Sequence, residues 1–422
     1  APVDAPDGGD PDPVVSPLHP ALTQSAPLDP WTRWAYAPHT VSLMAVGLAA
    51  LAWKSGALEP RPEDMNTMDM GRRGALGAAL VVVLHSLAHG PPSHFIRPHP
   101  AWYRLLHGVA TCYACALVFV MCHSTSEARQ LMRYLDPSLG KPLEEFSYGA
   151  DCRVHTPGHP DGPFAGVKAT VLDRFVIAHI LGWWGKAVAL RDYRVLWTVS
   201  VMFELLELTF KHWLKNFNEC WWDSWVLDVM LCNWLGMKLG MWTVRQWETD
   251  GTYEWLGLSK TPGGLAKLKR AALQFTPVRV EPFDWGYTST PKRFLQTALL
   301  VAGVLAMELN AFFLKTILWV GPEHALNGLR LWLWFFLSMP AVREYYVFIT
   351  FGGGLWSMNK IGPYAWLALL LTALETMVIV KHGKGQFPDP WPPEVVRAWS
   401  AVAAVGTVLL VAWQARRLMG RV

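Results

Sequence analysis

Residues 203–228 read FELLELTFKHWLKNFNECWWDSWVLD, and this stretch decides both the fold and the position of the site. Phe, Leu, Trp and Val make up half of it. Among the polar side chains that interrupt the apolar ones, seven are candidates for chemistry: Glu204, Glu207, His212, Asn216, Glu219, Asp223 and Asp228. Carboxylates and amides are costly at membrane depth and therefore indicate a functional site first.

The composition of the whole chain favours a membrane protein. Hydrophobic residues make up 52% of the 422 positions, charged residues only 17%, and Trp occurs 24 times. A soluble chain of this length normally carries more charge, so the sequence predicts an all-α, polytopic helical membrane protein. We predict about ten transmembrane helices, from the rule of roughly twenty apolar residues per crossing. They cover residues 38–53, 73–90, 102–123, 171–190, 192–213, 222–247, 293–318, 325–340, 363–381 and 394–416.

Two of these spans fit a re-entrant or interfacial segment as well, because 38–53 is short and 171–190 carries four polar or charged residues. The domain prediction has three parts: a disordered N-terminal tail over 1–35, a single transmembrane catalytic domain over 36–418, and a C-terminal tail over 419–422. Basic residues collect between residues 260 and 293, which favours a cytoplasmic location for both termini. A net charge of +4 is too small to indicate nucleic-acid binding.

The six cysteines predict no disulfide framework. Cys112 and Cys115 have the spacing of a redox or zinc motif, yet they lie in an apolar helical run. Small buried thiols are the expected role there.

The carboxylates of the opening stretch predict a cation site. Glu204 and Glu207 are three residues apart, and Glu219 and Asp223 are four apart, so on helices each pair would share a face. Oxygen ligands without a thiolate favour calcium, magnesium or manganese, and several carboxylates suit the high coordination number of calcium. The alternative is that these acids pair with nearby basic residues or lie in a solvated loop. Those basic residues are Lys211, His212, Lys215 and Lys238.

His179 is the candidate general base. It stands in FVIAHILGWW, where a neutral imidazole is easier to bury than a carboxylate and keeps a pKa near the working pH. A histidine on an apolar face is usually a packing residue. Its position one span before the acids is what favours a catalytic role.

The run from His179 to Gly236 resembles the eukaryotic base-exchange phosphatidylserine synthases. The most specific part is NF-x-ECWWD at 216–223. Six flanking segments agree: IRPHPAWYR (96–104), RYLDPSLGKPL (133–143), LKRAALQFTP (268–277), MELNAFFLK (307–315), PEHALNGLR (322–330) and VREYY (342–346). The resemblance spans residues 38–382 and is nearer the type-2 and plant-like members. One departure is Trp234, where the family usually shows Gly after Cys-Asn.

This resemblance implies calcium-dependent exchange of a phospholipid headgroup for L-serine in the endoplasmic reticulum membrane. It implies His179 as catalytic residue and Glu204, Glu207, Glu219, Asp223 and Asp228 as calcium ligands. Seven further positions match polar residues of the family motifs and are candidates for substrate binding: Arg97, His99, Asn216, Asn233, Arg270, Gln274 and Arg343. The partners are a phospholipid, phosphatidylethanolamine before phosphatidylcholine, and L-serine. Vertebrate relatives suggest a homodimer.

Several alternatives stay open at this point. His179 could instead be a nucleophile that forms a phosphatidyl-enzyme. A CDP-alcohol phosphotransferase would also make phosphatidylserine, but its D-G-x-x-A-R pattern is missing, since Asp161-Gly162 continues as Pro-Phe-Ala-Gly. A cation channel or lipid transporter would show inverted repeats or acids spread along a pore, whereas these acids lie on two consecutive segments. Glu308 and Asn310 suggest an interhelical hydrogen bond or, less simply, a second ion site.

Overall fold

The computed structural model describes residues 46, 50, 67–91, 100–143, 147, 149, 151–158, 160–247, 261–273, 280, 282–351, 361–387 and 391–419. The predicted tail over 1–35 and nearly all of the predicted span 38–53 lie outside these residues. Arg97, His99 and Gln274 also lie outside them.

Helices make up the regular structure throughout the described ranges. Twelve α-helices are α1 (Thr67–His89), α2 (Pro100–Met121), α3 (Thr125–Leu135), α4 (Ala165–Val171), α5 (Arg174–Leu190), α6 (Tyr193–Phe210), α7 (Trp234–Trp247), α8 (Gly264–Leu273), α9 (Pro291–Ile317), α10 (Ala325–Phe351), α11 (Pro363–Gly383) and α12 (Pro393–Met419). A 3-10 turn covers Lys215–Phe217, and a π-helical segment covers Asp223–Asn233. The all-helical class is confirmed.

Five of these helices are long and apolar enough to cross a membrane: α2, α9, α10, α11 and α12. Shorter apolar helices cover Gly74–Leu87 and Val176–Leu190 within α1 and α5. Each predicted span after the first coincides with a helix in the described chain, but five is the number that meets the length and hydropathy of a full crossing.

The helices run between two ends of the bundle. At the first, here called the Cys152 end, Gly149 N–H donates to Asn218 O and Gly140 N–H donates to Trp319 O. At the same end the Ser138 N–H donates to Asp136 and lowers the pKa of that carboxyl to about 2. At the second, the Trp285 end, the indole N–H of Trp285 donates to Leu190 O at 3.0 Å.

The closest helix packing lies between α5 and α7. Gly236 and Gly240 are one turn apart on α7, and a Cβ atom at either position would clash with α5. It would lie 2.5 Å from Ile180 O at Gly236 and 2.5 Å from Ala187 Cβ at Gly240. Small residues at this spacing let two membrane helices approach closely. The contact brings the C-terminal end of the π-helical segment against α5.

Candidate active site

The π-helical segment places three polar residues on one face. Hydrogen bonds in a π-helix run over five residues, so Asp223, Asp228 and Asn233 follow one another at intervals of about one turn. On an α-helix, residues five apart would point in different directions. Such π-helical geometry is frequent at functional sites, and here it turns both carboxylates and the amide toward α5 and α6.

His179, on α5, is held by the last of these residues. Its Nε2 lies 2.6 Å from Asn233 Oδ1, and Asn233 Nδ2 donates to Ser200 Oγ at 2.7 Å. The indole Nε1 of Trp183 lies 3.2 Å from the same imidazole nitrogen. Asn233 and Ser200 are completely buried. An amide oxygen can only accept, so in the tautomer with the shorter contact Nε2–H donates to Asn233 Oδ1, and Nδ1 then carries the lone pair that can take a substrate proton.

Five carboxylates lie near one another beside the π-helical segment, and one of them, Asp228, reaches the histidine. Glu204 is on the buried side of α6, and its charge is affected by Glu219 and Asp223. Glu207 is affected by Glu219, Glu204 and Asp228. Asp228 Oδ1 lies 3.9 Å from His179 Nε2. The five predicted calcium ligands are therefore close enough for their negative charges to repel.

Few donors satisfy these carboxylates. Ser224 Oγ lies 3.3 Å from Glu219 Oε2, while Glu204 and Glu207 accept no hydrogen bond within the described ranges. The donor set is all oxygen and carries uncompensated negative charge, which fits a hard divalent cation. As the side chains are placed, no three His, Cys, Asp or Glu of the described chain converge on one metal position.

One prediction about these acids is wrong. Glu219 does not share a helix face with Asp223, because residues 218–220 are irregular and the helix begins at Trp221. The two charges nevertheless act on each other. A disulfide between Cys152 and Cys220 holds this turn in place, and its Cα atoms are 5.2 Å apart.

The disulfide also corrects the prediction for the cysteines. Cys152 and Cys220 are 68 residues apart, so no local spacing indicated the pair. It ties the loop that follows α3 to the residue next to Glu219. Cys112, Cys115, Cys122 and Cys232 are free thiols. The first two were predicted to be buried, but Cys112 is half-buried and Cys115 is exposed.

The structure places the remaining candidate residues in different regions. Asn216 lies half-buried in the 3-10 turn at the Cys152 end. Arg270 lies on α8, and Arg343 lies on α10 one turn before Tyr346, whose hydroxyl accepts from Asp284 N–H at the Trp285 end. Arg343 thus lies toward the Trp285 end, whereas Asn216 lies at the Cys152 end. His212, one of the basic residues that the sequence offered as ion-pair partners of the acids, packs against Trp213 and Trp391.

Sequence reasoning missed two residues of the site, Ser200 and Lys186. Ser200 supports Asn233, and Lys186 pairs with Glu308 at 2.6 Å. The interval of five between Asp223, Asp228 and Asn233 was the available signal for the π-helical face. Asn310 makes interhelical hydrogen bonds to α11, as the sequence favours, whereas Glu308 turns toward α5.

Comparisons with known proteins match this chain to one family. A family model described as phosphatidyl serine synthase matches residues 98–383. CDP-diacylglycerol–serine O-phosphatidyltransferase 2 of Oryza sativa subsp. japonica is 43% identical over 92% of this chain and 91% of its own length. CDP-diacylglycerol–serine O-phosphatidyltransferase 1 of Arabidopsis thaliana is 43% identical over 92% of this chain and 90% of its own length. Phosphatidylserine synthase 2 of Homo sapiens is 36% identical over 91% and 76%.

Proposed function

We propose a headgroup-exchange reaction for this chain, which belongs to the phosphatidylserine synthase family and is a phosphatidyltransferase. In this reaction L-serine replaces the ethanolamine of phosphatidylethanolamine. The observation that carries the proposal is the placement of His179, which is fixed through Asn233 and lies 3.9 Å from Asp228, one of five mutually close carboxylates with few protein donors.

The exchange is chemically balanced. One phosphodiester is converted into another of similar energy, so no nucleotide has to be consumed. His179 takes the proton from the serine hydroxyl at Nδ1, the serine oxygen forms the new bond to phosphorus, and the bond to the ethanolamine oxygen breaks. The imidazolium then returns its proton to the departing oxygen. Asn233 and Ser200 keep the ring oriented through both transfers.

Calcium, when bound by Glu204, Glu207, Glu219, Asp223 and Asp228, would neutralise charge on the phosphoryl oxygens. These residues supply the ligand type that calcium prefers. Phosphodiester transfer depends mostly on positioning and on such neutralisation, which is why a site built from acids can serve an anionic lipid.

Three donor lipids have to be distinguished: phosphatidylethanolamine, phosphatidylcholine and CDP-diacylglycerol. The plant relatives are named for CDP-diacylglycerol, whereas the animal relatives are named phosphatidylserine synthase 2. The D-G-x-x-A-R pattern of CDP-alcohol phosphotransferases is missing at Asp161-Gly162, which supports exchange. Phosphatidylethanolamine is preferred to phosphatidylcholine because its ammonium group offers hydrogens to acceptors, and choline has none.

The location follows from similar reasoning. We place the protein in the endoplasmic reticulum membrane with the Cys152 end in the lumen, since disulfides persist there and are rare in the cytosol. The basic residues between 260 and 293 then face the cytoplasm, in agreement with the positive-inside rule. A homodimer is proposed from the family resemblance.

The test uses purified protein in defined vesicles. L-serine and calcium are supplied with phosphatidylethanolamine, phosphatidylcholine or CDP-diacylglycerol, one at a time. We expect phosphatidylserine and free ethanolamine in equal amounts from phosphatidylethanolamine, and no reaction after calcium is chelated. Product from CDP-diacylglycerol alone would contradict the exchange reaction. Faster product formation from phosphatidylcholine would contradict the donor assignment.

A further inference from the structure

Lys186 and Glu308 form an ion pair between α5 and α9 beside the site. Lys186 Nζ lies 2.6 Å from Glu308 Oε1, and the two side chains are 14% and 23% exposed. Both side chains are thus largely removed from water. A buried ion pair seldom stabilises a fold more than apolar residues of the same size would, so its presence here calls for another explanation.

Lys186 shares a helix face with His179. The two residues are seven apart on α5, with Trp183 between them, and the ammonium group lies 3.7 Å from the centre of the Trp183 ring. Helical side chains lean toward the helix N-terminus, which here is the direction of His179. The Trp183 indole reaches His179 Nε2 on its other side. One aromatic ring therefore connects the lysine to the base.

The charges of the pair reach into the site. The positive charge of Lys186 acts on both His179 and Glu204, and the negative charge of Glu308 acts on His179 and Glu207. Lys186 thus supplies positive charge that acts on the base and on the acids. A donor phosphodiester carries one negative charge, and it needs positive groups around it near the base.

The pair also leaves hydrogen-bonding capacity unused. Glu308 Oε2 is buried without a hydrogen-bond partner in the described part of the chain. An ammonium group has three donors, and Glu308 Oε1 accepts one of them. The remaining donors are available to an anionic oxygen without loss of the ion pair.

We propose that Lys186 binds the phosphodiester oxygens of the donor lipid beside His179, and that Glu308 positions its ammonium group. This inference rests on the proposed function. It goes further by assigning the lipid phosphate to a protein cation as well as to calcium. Glu308 acts through Lys186 and is a positioning residue.

Binding is measured apart from turnover, with short-chain dihexanoyl phosphatidylethanolamine added to the purified protein without serine or calcium. Thermal unfolding in detergent reports the binding. We expect the lipid to stabilise wild type and the control Lys238→Met, which removes an exposed lysine on α7. Lys186→Met should lose at least about ten times in lipid affinity, the range of one or two charge-assisted hydrogen bonds. Lys186→Arg should retain part of it.

The double variant Lys186→Met with Glu308→Gln controls for folding, because it removes the unpaired carboxylate that the single change would leave. It should fold at wild-type yield and still fail to bind the lipid. Glu308→Gln alone should weaken binding less than Lys186→Met does, since the positive charge remains and only its positioning is lost. Equal loss of binding in Glu308→Gln and in Lys186→Met would show a structural pair and overturn the assignment.

Steady-state rates separate the possible anions. We expect Lys186→Met to raise the KM for the lipid and to leave the KM for serine unchanged. A raised KM for serine alone would assign Lys186 to the serine carboxylate and overturn the proposal. The KM values of wild type and variants are measured with whichever donor lipid the wild-type protein uses. Failure of the exchange reaction is therefore seen in wild type, and failure of the Lys186 assignment is seen in the variants.

Discussion

Glu375 and Glu204 are both buried glutamates on apolar helices, but their surroundings differ. Glu375 on α11 accepts hydrogen bonds from Arg330 Nε at 2.8 Å and Nη2 at 2.6 Å, from Tyr113 Oη at 2.7 Å and from Trp334 Nε1 at 3.3 Å. Glu204 accepts none from the described protein and lies among other acids. The first carboxylate is saturated by partners on α2 and α10, and the second is not.

The difference separates two uses of buried charge. A carboxylate that is paired and fully hydrogen-bonded can hold helices together, because its desolvation is compensated. A group of carboxylates without donors destabilises the fold unless a cation joins them. We therefore assign a structural role to Glu375 and its donors Arg330, Tyr113 and Trp334, here called the Glu375 cluster. The five acids that include Glu204, here called the Glu204 cluster, have a chemical role.

The largest expected effect is on catalysis. His179→Gln removes the proton shuttle, and we expect the rate of phosphatidylserine formation to fall by about a hundred to ten thousand times. Yield and thermal stability should stay near wild type. The matched control is His85→Gln, an exposed histidine on α1, which should keep full activity. If His179→Gln exchanges headgroups at a near-normal rate, His179 is only a packing residue.

The next effect is on stability. Arg330→Met leaves Glu375 buried without its main partner, and this should cost about 3–5 kcal/mol of the free energy of unfolding. Thermal or denaturant unfolding of the purified protein measures the loss. Adding Glu375→Leu should recover much of it, since the unpaired charge is then gone. If Arg330→Met alone is as stable as wild type, the Glu375 cluster does not hold the helices together.

In contrast to Arg330→Met, Glu204→Gln should weaken the response to calcium without lowering stability. Without calcium its stability should equal or exceed that of wild type, because the change removes repulsion among the acids. The calcium concentration for half-maximal activity should rise on the order of tenfold, as expected when a ligand charge is lost. Glu394→Gln, exposed at the start of α12, is the control and should leave both quantities unchanged. An unchanged calcium titration would remove Glu204 from the ligand set.

The smallest effect concerns the support of the base. Ser200→Ala removes the hydrogen bond to Asn233 Nδ2, which contributes about 0.5–1.5 kcal/mol. We expect a loss of up to about tenfold in kcat with little change in KM, and partial rescue by Ser200→Thr. A changed KM with unchanged kcat would mean that Ser200 acts on substrate binding and does not orient the imidazole.

Much of the fold could be predicted from the sequence. Long apolar runs located α9, α11 and α12 to within a few residues, and a proline marks the start of each. The neighbourhood of His179 and the acids was predicted as well, because costly polar groups stand out in an apolar context.

The rest depended on geometry that a linear pattern does not carry. Spacings of three and four were the test for a helical acid pair, so the interval of five in the π-helical segment was not recognised as a shared face. The Cys152–Cys220 pair and the Lys186–Glu308 pair join residues 68 and 122 apart, which only the folded chain brings together.

The most direct test of the division between structural and chemical carboxylates is calcium-induced thermal stabilisation of the purified protein. Wild type should be stabilised by calcium, Asp223→Asn with Glu204→Gln should lose that stabilisation, and Arg330→Met with Glu375→Leu should retain it from a lower starting point. A calcium response that survives loss of Glu204 and Asp223, or that disappears with Glu375, would contradict the account.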